Sequence, residues 1–439
     1  MQQKETTKGL LKYHEECLET AFLMKPYTRW KKLDPGKDFS MDERYSKIPP
    51  LTKYDMRRYL PEDFIRPGIS LDAGIKTGEI ELVETSGTTG DRVTNIWHQK
   101  WWDASERASW RLHAKAQQIP HFPREAILTS PLCTGIKSRN GKPVQLKQRI
   151  TGRFLYLNEY DDPSTWNPVI MRRMLQELEY FQPVTIDANP SYLAILARYA
   201  YQHGIKPYQP VFITLTYENP SLLHYKSIKQ VFSAPVASSY GSTETGYVFM
   251  ECEAGNMHQN TEFCRVDFQP FKNEHGGPNI GRIFVTPLRH AWTILLRFDI
   301  GDVVRLQKKP CPCGRRNGLT IEKIEGRMAN ITITTKGKAV TQGQLDKKVS
   351  SLKELHQYKL IQKSLKKYLF FCVHDGPKCR FAKKAMSKLK DLYGHDAQIE
   401  IIPTSFISPD PPGKYRLAKC DFGIDTNTFF DTTNTAYEK

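Results

Sequence analysis

No apolar run in these 439 residues approaches the ~20 consecutive hydrophobic positions that a membrane-crossing helix needs. The opening stretch "MQQKETTKG" has no apolar core of the kind a secretory leader carries, so the expectation is a cytoplasmic protein without a membrane partner. Cysteine is sparse: nine in a chain this long cannot be a disulfide framework. Low-complexity tracts and internal repeats are absent, which excludes a solenoid or a disordered linker protein. Acidic residues are short of basic ones, 47 against 64, for a net charge of +17. Such a charge admits nucleic acid, but no recognition motif accompanies it, and scattered surface lysines or an acidic cofactor explain it equally. The excess is uneven: residues 328–439 hold 19 Lys/Arg against 11 Asp/Glu.

What is present is globular, at 39% hydrophobic and 11% aromatic, and long enough for two domains. "GEIELVETSG" alternates like a strand that runs into a loop. The segment around residues 91–116 reads as helical from about Trp102. "STWNPVIMRRMLQELEYF" reads as a helix entered from a Ser/Thr cap. "PVTIDA", "PVFITLTY" and "APVASSYG" read as short strands, separated by helices over "SYLAILARYAYQHG" and "LLHYKSIKQVF". This alternation predicts an α/β architecture. After Gly277 the pattern turns to strands, over "IGRIFVTPL" and "AWTILLRFDIGDVVRL". From about Arg327 a smaller α+β segment follows.

"ETSGTTGD" packs Thr85, Ser86, Gly87, Thr88, Thr89 and Gly90 into one loop. Glycine lets backbone approach a ligand, and hydroxyls donate hydrogen bonds, a combination suited to phosphate. It is not a Walker loop, because no Lys precedes the last hydroxyl residue. Alone it would be an ordinary loop. Four more stretches accompany it. "SSYGSTETG" carries Tyr240, Gly241, Ser242, Thr243 and Glu244 after a strand. "RFDIGDVVRL" ends on Asp302 after a glycine. "EGRMAN" carries Arg327 at an apparent junction, and "PDPPGKYRLAKCDF" presents Lys414 on a Pro/Gly-bounded loop. Separately, Cys252 and His258 in "ECEAGNMH", with Cys311 and Cys313 in "KKPCPCGRR", make a Cys₃His set of the kind that holds structural zinc. The two pairs are far apart in sequence, so four unrelated residues remain the alternative. Cys17, Cys372, Cys379 and Cys420 read as ordinary thiols, as do Cys133 and Cys264.

In order and spacing these motifs resemble the adenylate-forming superfamily, most closely its phenylacetate–CoA ligase branch, over about residues 80–420. The resemblance implies a large N-terminal domain of β-sheets and packed helices over 1–326, and a small mobile α+β domain over 327–439. It implies activation of a carboxylic acid, aryl or arylalkyl, as acyl-AMP with release of pyrophosphate, then transfer to coenzyme A. A carrier-protein thiol or an amine is the alternative acceptor. A non-catalytic nucleotide-binding protein is the alternative from another class, against which the retention of Glu244, Asp302 and Lys414 argues.

The resemblance implies these roles: Thr85–Gly90 around the ATP phosphates, Tyr240 at the adenine, and Thr243 near the α-phosphate. Glu244 would hold Mg²⁺, Asp302 the ribose hydroxyls, Arg327 the ribose or phosphate, and Lys414 the reacting carboxylate and phosphate together. Some relatives carry zinc at positions like those of Cys252, His258, Cys311 and Cys313. Two departures stand out. The polar pivot residue usual after the "GR" pair is Ala329 here, followed by Asn330. The stretch at 128–141, where the resemblance places the lining of the acid pocket, is polar and carries Lys137 and Arg139; "TLTYEN", with Tyr217 and Glu218, is a second expected wall, and the two readings are an unusual acid, polar or amino-bearing, or loop residues that face water.

Overall fold

In a computed structural model, the structure describes residues 2–59, 61–84, 93–138, 142–410 and 413–430, with side chains from Leu11 onward. The architecture is mixed α/β, as the sequence predicts, and the chain packs into two units. One comprises residues 1–117, 239–323 and 430–439; the other comprises 118–238 and 324–429. The chain crosses from the first unit to the second between Lys323 and Ile324. The grouping of 118–238 with the C-terminal segment is a matter of packing that a linear reading does not contain. Among the described residues no helix is long and apolar enough to cross a membrane.

The first unit is dominated by antiparallel pairing. Strands Cys264–Pro270, Ile280–Pro287 and Phe298–Leu306 form a meander of alternating β-branched and aromatic residues. Strand Gly246–Glu251 pairs with residues 239–242 on one side and with Met257–Gln259 on the other. A buried ionic lock secures the strand that bears Asp302. Asp267 accepts from Arg265 at 2.9 Å and forms an ion pair with Arg297 at 3.0 Å, and Arg297 Nη1 donates to the Ile48 carbonyl at 2.8 Å. Arg297 sits at φ 46°, which ends the irregular run before it. The strand therefore begins at Phe298, later than "AWTILLRF" suggests. Helix Gln99–Trp110 starts earlier than expected, directly after strand Thr94–Trp97. Its Trp101 and Ala108 pack on Phe263.

The second unit holds a parallel sheet in the order Phe154–Tyr156, Glu125–Leu128, Thr185–Ala188, Phe212–Leu215 and residues 236–238. Strands covered on both faces read as near-continuous apolar runs, and these do. Helices Pro168–Phe181, Pro190–Gln202 and Leu222–Lys229 connect them. Their starts are set by side-chain caps. The cap of the first is Asn167, with Pro168 at the first helical position, rather than the expected Ser164 or Thr165, which lie in a preceding short turn. The C-terminal segment adds a four-stranded sheet in which Leu355–Gln362 and Lys367–His374 are central, backed by helices Gln342–Val349 and Lys378–Tyr393. Leu223, from the helix between strand Phe212–Leu215 and residues 236–238, sits in the core of that segment with Tyr358, Phe370 and Leu389.

Candidate active site

In the first unit, Tyr240 lies on strand Val236–Ser242 and Asp302 on strand Phe298–Leu306. The structure brings them together: Tyr240 Oη donates to Asp302 Oδ2 at 2.7 Å. Asp302 is 5% exposed and follows Gly301, whose φ of +79° turns the chain there. The N–H of Gly301 donates to Asp299 Oδ1 at 3.0 Å, which fixes the bend. An aromatic ring hydrogen-bonded to an acceptor-only carboxylate offers a flat apolar surface beside a group that takes hydroxyl donors. Thr243 and Glu244 occupy the turn between Val236–Ser242 and Gly246–Glu251. Glycine is required at position 241, since a Cβ there would lie 2.1 Å from the Gly246 carbonyl oxygen. Ser242 Oγ and Thr245 Oγ1 close the turn at 3.0 Å, and Glu244 is 9% exposed. Thr85–Gly90 lie outside the described residues.

Lys414 and Arg327 belong to the second unit. Lys414 is held by its backbone. The Asp410 N–H donates to the Lys414 carbonyl at 2.9 Å, Gly413 adopts φ +95°, and Asp410 is gripped by Lys359 at 2.9 Å. This loop docks on the carboxyl edge of the parallel sheet. The Tyr415 N–H donates to Glu218 Oε2 at 2.9 Å, and Tyr192 Oη donates to the Gly413 carbonyl at 3.3 Å. A Cβ on Gly413 would come within 2.8 Å of Ser130 Oγ, so the approach needs glycine. Glu218 also accepts from Ser191 Oγ, which is 3.3 Å from His224 Nε2. Burial raises the Glu218 carboxyl and lowers His224 to about 4, so the imidazole is neutral. Its Nδ1 accepts from the Ser221 N–H at 3.2 Å, which leaves Nε2 as the donor toward Ser191. Ser191 is therefore not an activated nucleophile; the chain of bonds is an anchor for the Lys414 loop. Nothing in the sequence signals that Glu218, Tyr192 and Ser130 are its docking points, because they come from two loops after different strands and from the first turn of helix Pro190–Gln202.

Arg327 ends strand Thr320–Arg327, and Ala329 and Asn330 lie in the short turn that follows. Lys137, expected in the acid pocket, instead pairs with Asp161 at 2.5 Å, with more than half of its side chain in solvent. Arg139 lies outside the described residues. Glu218, expected as a pocket wall, is spent on the loop anchor.

The cysteine and histidine set also comes together. The ligand atoms of Cys252, His258, Cys311 and Cys313 all lie within 4.8 Å of one another. Cys252 Sγ is 3.7 Å from Cys311 Sγ, and Cys313 Sγ is 3.1 Å from His258 Nε2. For Zn–S near 2.3 Å and Zn–N near 2.0 Å, tetrahedral ligand atoms stand roughly 3.5–3.8 Å apart, so the donor set and its spacing fit zinc. The surroundings fit too: His258 Nδ1 is 3.3 Å from Thr320 Oγ1, and Asn256 Nδ2 donates to Cys311 Sγ at 3.3 Å. Burial pushes the Cys252 thiol up to about 12 and keeps His258 neutral. A bound cation would therefore displace a proton from that thiol.

No family model matches the chain. A curated relative, Protein CapK of Staphylococcus aureus, is 22% identical over 383 residues, 85% of this chain and 79% of that protein. Among solved structures, 2-hydroxyisobutyryl-CoA ligase in its postadenylation state superposes with a TM-score of 0.70 at 16% identity, over 95% of this chain and 90% of that one. The same ligase in its thioesterification state gives 0.54. The amide bond synthetase McbA of Marinactinospora thermotolerans gives 0.51 at 12% identity, over 77% of this chain and 67% of that one.

Proposed function

We propose that this chain, whose fold is that of the adenylate-forming ligases, activates a carboxylic acid with ATP and passes the acyl group to coenzyme A. The observation that carries the reading is the docking of the Lys414 loop, through Glu218, Tyr192 and Ser130, on the carboxyl edge of the parallel sheet, where such sheets take their ligands. A carboxylate oxygen attacks the α-phosphorus, the bond to the bridging oxygen breaks, and pyrophosphate leaves. Both reactants are anionic. Lys414 offsets their repulsion and the charge that builds at phosphorus. Tyr240 flanks the adenine and Asp302 accepts from the ribose hydroxyls. Thr243 and Arg327 hold phosphate or ribose oxygens, and Thr85–Gly90 hold the outer phosphates. Glu244 supplies a hard oxygen ligand to Mg²⁺, which provides charge neutralisation when bound. The Cys252, His258, Cys311 and Cys313 set holds zinc in a structural role, since four protein ligands leave no open position. The reading places the boundary of the lysine-bearing domain near residue 326 and the reaction in the cytoplasm, where unpaired thiols persist.

An aryl or arylalkyl acid and a coenzyme A acceptor are the finer parts of the proposal. Ala329, in place of a polar pivot, favours a second acceptor reading, a carrier-protein thiol or an amine. The test is acid-dependent pyrophosphate exchange. We expect Lys414→Ala to lower it at least on the order of 10²-fold while ATP binding persists. Near-normal acyl-AMP formation by this variant removes Lys414 from the chemistry.

A further inference from the structure

Asp187 closes the strand Thr185–Ala188 at the centre of the parallel sheet. Its register partners are Ile127 on one side and Thr214 on the other. Strand alternation therefore puts Thr129 and Thr216, two residues further along those neighbours, on the face of Asp187. Thr216 Oγ1 donates to Oδ1 at 2.6 Å and Tyr217 Oη to Oδ2 at 2.9 Å. A carboxylate can accept about twice that many bonds. Among the described residues no cationic side chain pairs with it. Burial lifts its pKa to about 6, with the two hydroxyls holding it down, so it is an ionised group at neutral pH without a counter-charge. Such a group is costly to keep and marks a functional position more often than a structural one.

Two independent features sit with it. Tyr217 adopts φ +69°, a left-handed conformation that a bulky aromatic residue takes only under compulsion, and in it the phenol reaches Asp187. The hydroxyl of Thr129, 2% exposed, has no oxygen or nitrogen partner and lies beside the Cys133 thiol, which it helps to lower. Asp187, Thr216 and Tyr217 all keep part of their surface open. The Lys414 loop docks on the adjoining positions: Gly413 packs on Ser130, next to Thr129, and the Tyr415 N–H donates to Glu218, next to Tyr217. Burial raises the Cys133 thiol and the charge of Lys414 lowers it, and Cys133 in turn contributes to raising Tyr217, after burial and Asp187.

We infer that Asp187, oriented by Thr216 and Tyr217, recognises the substrate acid by a hydrogen-bond-donating substituent, a hydroxyl or amino group, while Lys414 meets its carboxylate. Thr129 offers a further hydroxyl partner to the same substituent. The inference rests on the adenylation reading and names its substrate class: hydroxy or amino acids in the broad sense rather than plain aryl or alkyl acids. Tyr217 is a positioning residue here, and Asp187 the group that touches substrate.

The test is acid-dependent pyrophosphate release with acids in matched triples that differ only by hydrogen, hydroxyl or amino at one carbon. The full chain is used as wild type, Asp187→Asn and Asp187→Ala, with thermal midpoints as a folding control. In the wild type the best donor-bearing acid should exceed its unsubstituted match by at least about 10-fold in kcat/KM. Asp187→Ala should raise KM for that acid by a similar factor and so collapse its advantage over the unsubstituted match. Asp187→Asn separates the sources: it should abolish a preference for an amino group, which needs the charge, and preserve much of a preference for hydroxyl. A wild type that prefers unsubstituted acids overturns the inference, as does equal loss with both kinds of acid in folded variants. Pyrophosphate release confined to plain acids sinks this inference alone; no release with any acid sinks the adenylation reading with it.

Discussion

A carboxylate whose pKa is raised by folding weakens the fold wherever it is ionised. For Asp187 the ordinary value is 3.8 and the folded one about 6. Below both, the protonated acid carries no penalty. As pH rises through about 6 the folded state must release a proton it holds more tightly than the unfolded chain does, and stability falls. At neutral pH that cost is fully present, on the order of 1–3 kcal/mol, from the ~1.4 kcal/mol that each pKa unit represents. Asp187→Asn should therefore unfold at a higher temperature than the wild type at pH 7.5, with the gain shrinking toward pH 4. A gain that is absent or independent of pH contradicts the burial of an ionised group here. The same residue shows what sequence reading misses. Lys414, Asp302 and Tyr240 drew notice in the sequence because each sits in a short, spaced motif; their roles remain part of the proposal. Asp187 is a single acid inside "PVTIDA", a strand and no more. Its significance comes from hydroxyls one strand away and from the strained backbone of Tyr217, which no local pattern encodes.

At the scale of elements, the cysteine–histidine cluster ties the end of the strand that bears Asp302 to the strand after the turn of Glu244. Cys252 follows strand Gly246–Glu251, next after the turn of Glu244, and His258 lies in Met257–Gln259; Cys311 and Cys313 follow Phe298–Leu306, which carries Asp302. The pairing of His258 with Thr320 completes the set. The protein as purified without chelator should contain about one zinc per chain. Cys311→Ser should lose zinc and thermal stability together, because metal affinity at such a site is folding free energy. Elemental analysis without zinc would leave the cluster a group of thiols. The residue types were readable in the sequence, but the long gap between the pairs left their meeting open; only antiparallel pairing closes it. The helix starts teach the reverse. Asn167 caps its helix where a Ser/Thr was expected, since Pro168 fixes the first helical position directly after it.

For the whole molecule the question is the acceptor. Within the second unit the C-terminal segment is held to residues 118–238 by separate polar contacts. Asp346 accepts from the Leu222 N–H at 2.8 Å, the Lys353 carbonyl accepts from Lys226 at 2.7 Å, Arg198 meets Asp375 at 3.1 Å, and Glu218 holds the Tyr415 N–H at 2.9 Å. Each polar contact is worth about 0.5–1.5 kcal/mol net and can be exchanged for water, so opening this seam costs mainly the exposure of Leu223, which is buried in the core of the segment. On the proposed adenylation reading, the closed seam fixes Lys414 for that step. A thioester step that needs the lysine withdrawn must break the Glu218 bond, which gives the two half-reactions opposite requirements. Glu218→Ala should slow acyl-AMP formation by up to about 10²-fold, the scale of a small misplacement of a catalytic group. It should leave conversion of pre-formed acyl-AMP by coenzyme A unchanged or faster. Single-turnover assays that follow pyrophosphate and the acyl product by mass separate the two. Equal loss in both steps would make Glu218 a general structural residue. If wild-type protein charged with acyl-AMP leaves coenzyme A unacylated, the seam does not open for a thiol, and the acceptor is another nucleophile. Ala329→Asp then becomes the decisive variant: thioester formation gained by restoring a polar pivot would locate the block in the turn after Arg327, and none gained would locate it in the seam itself.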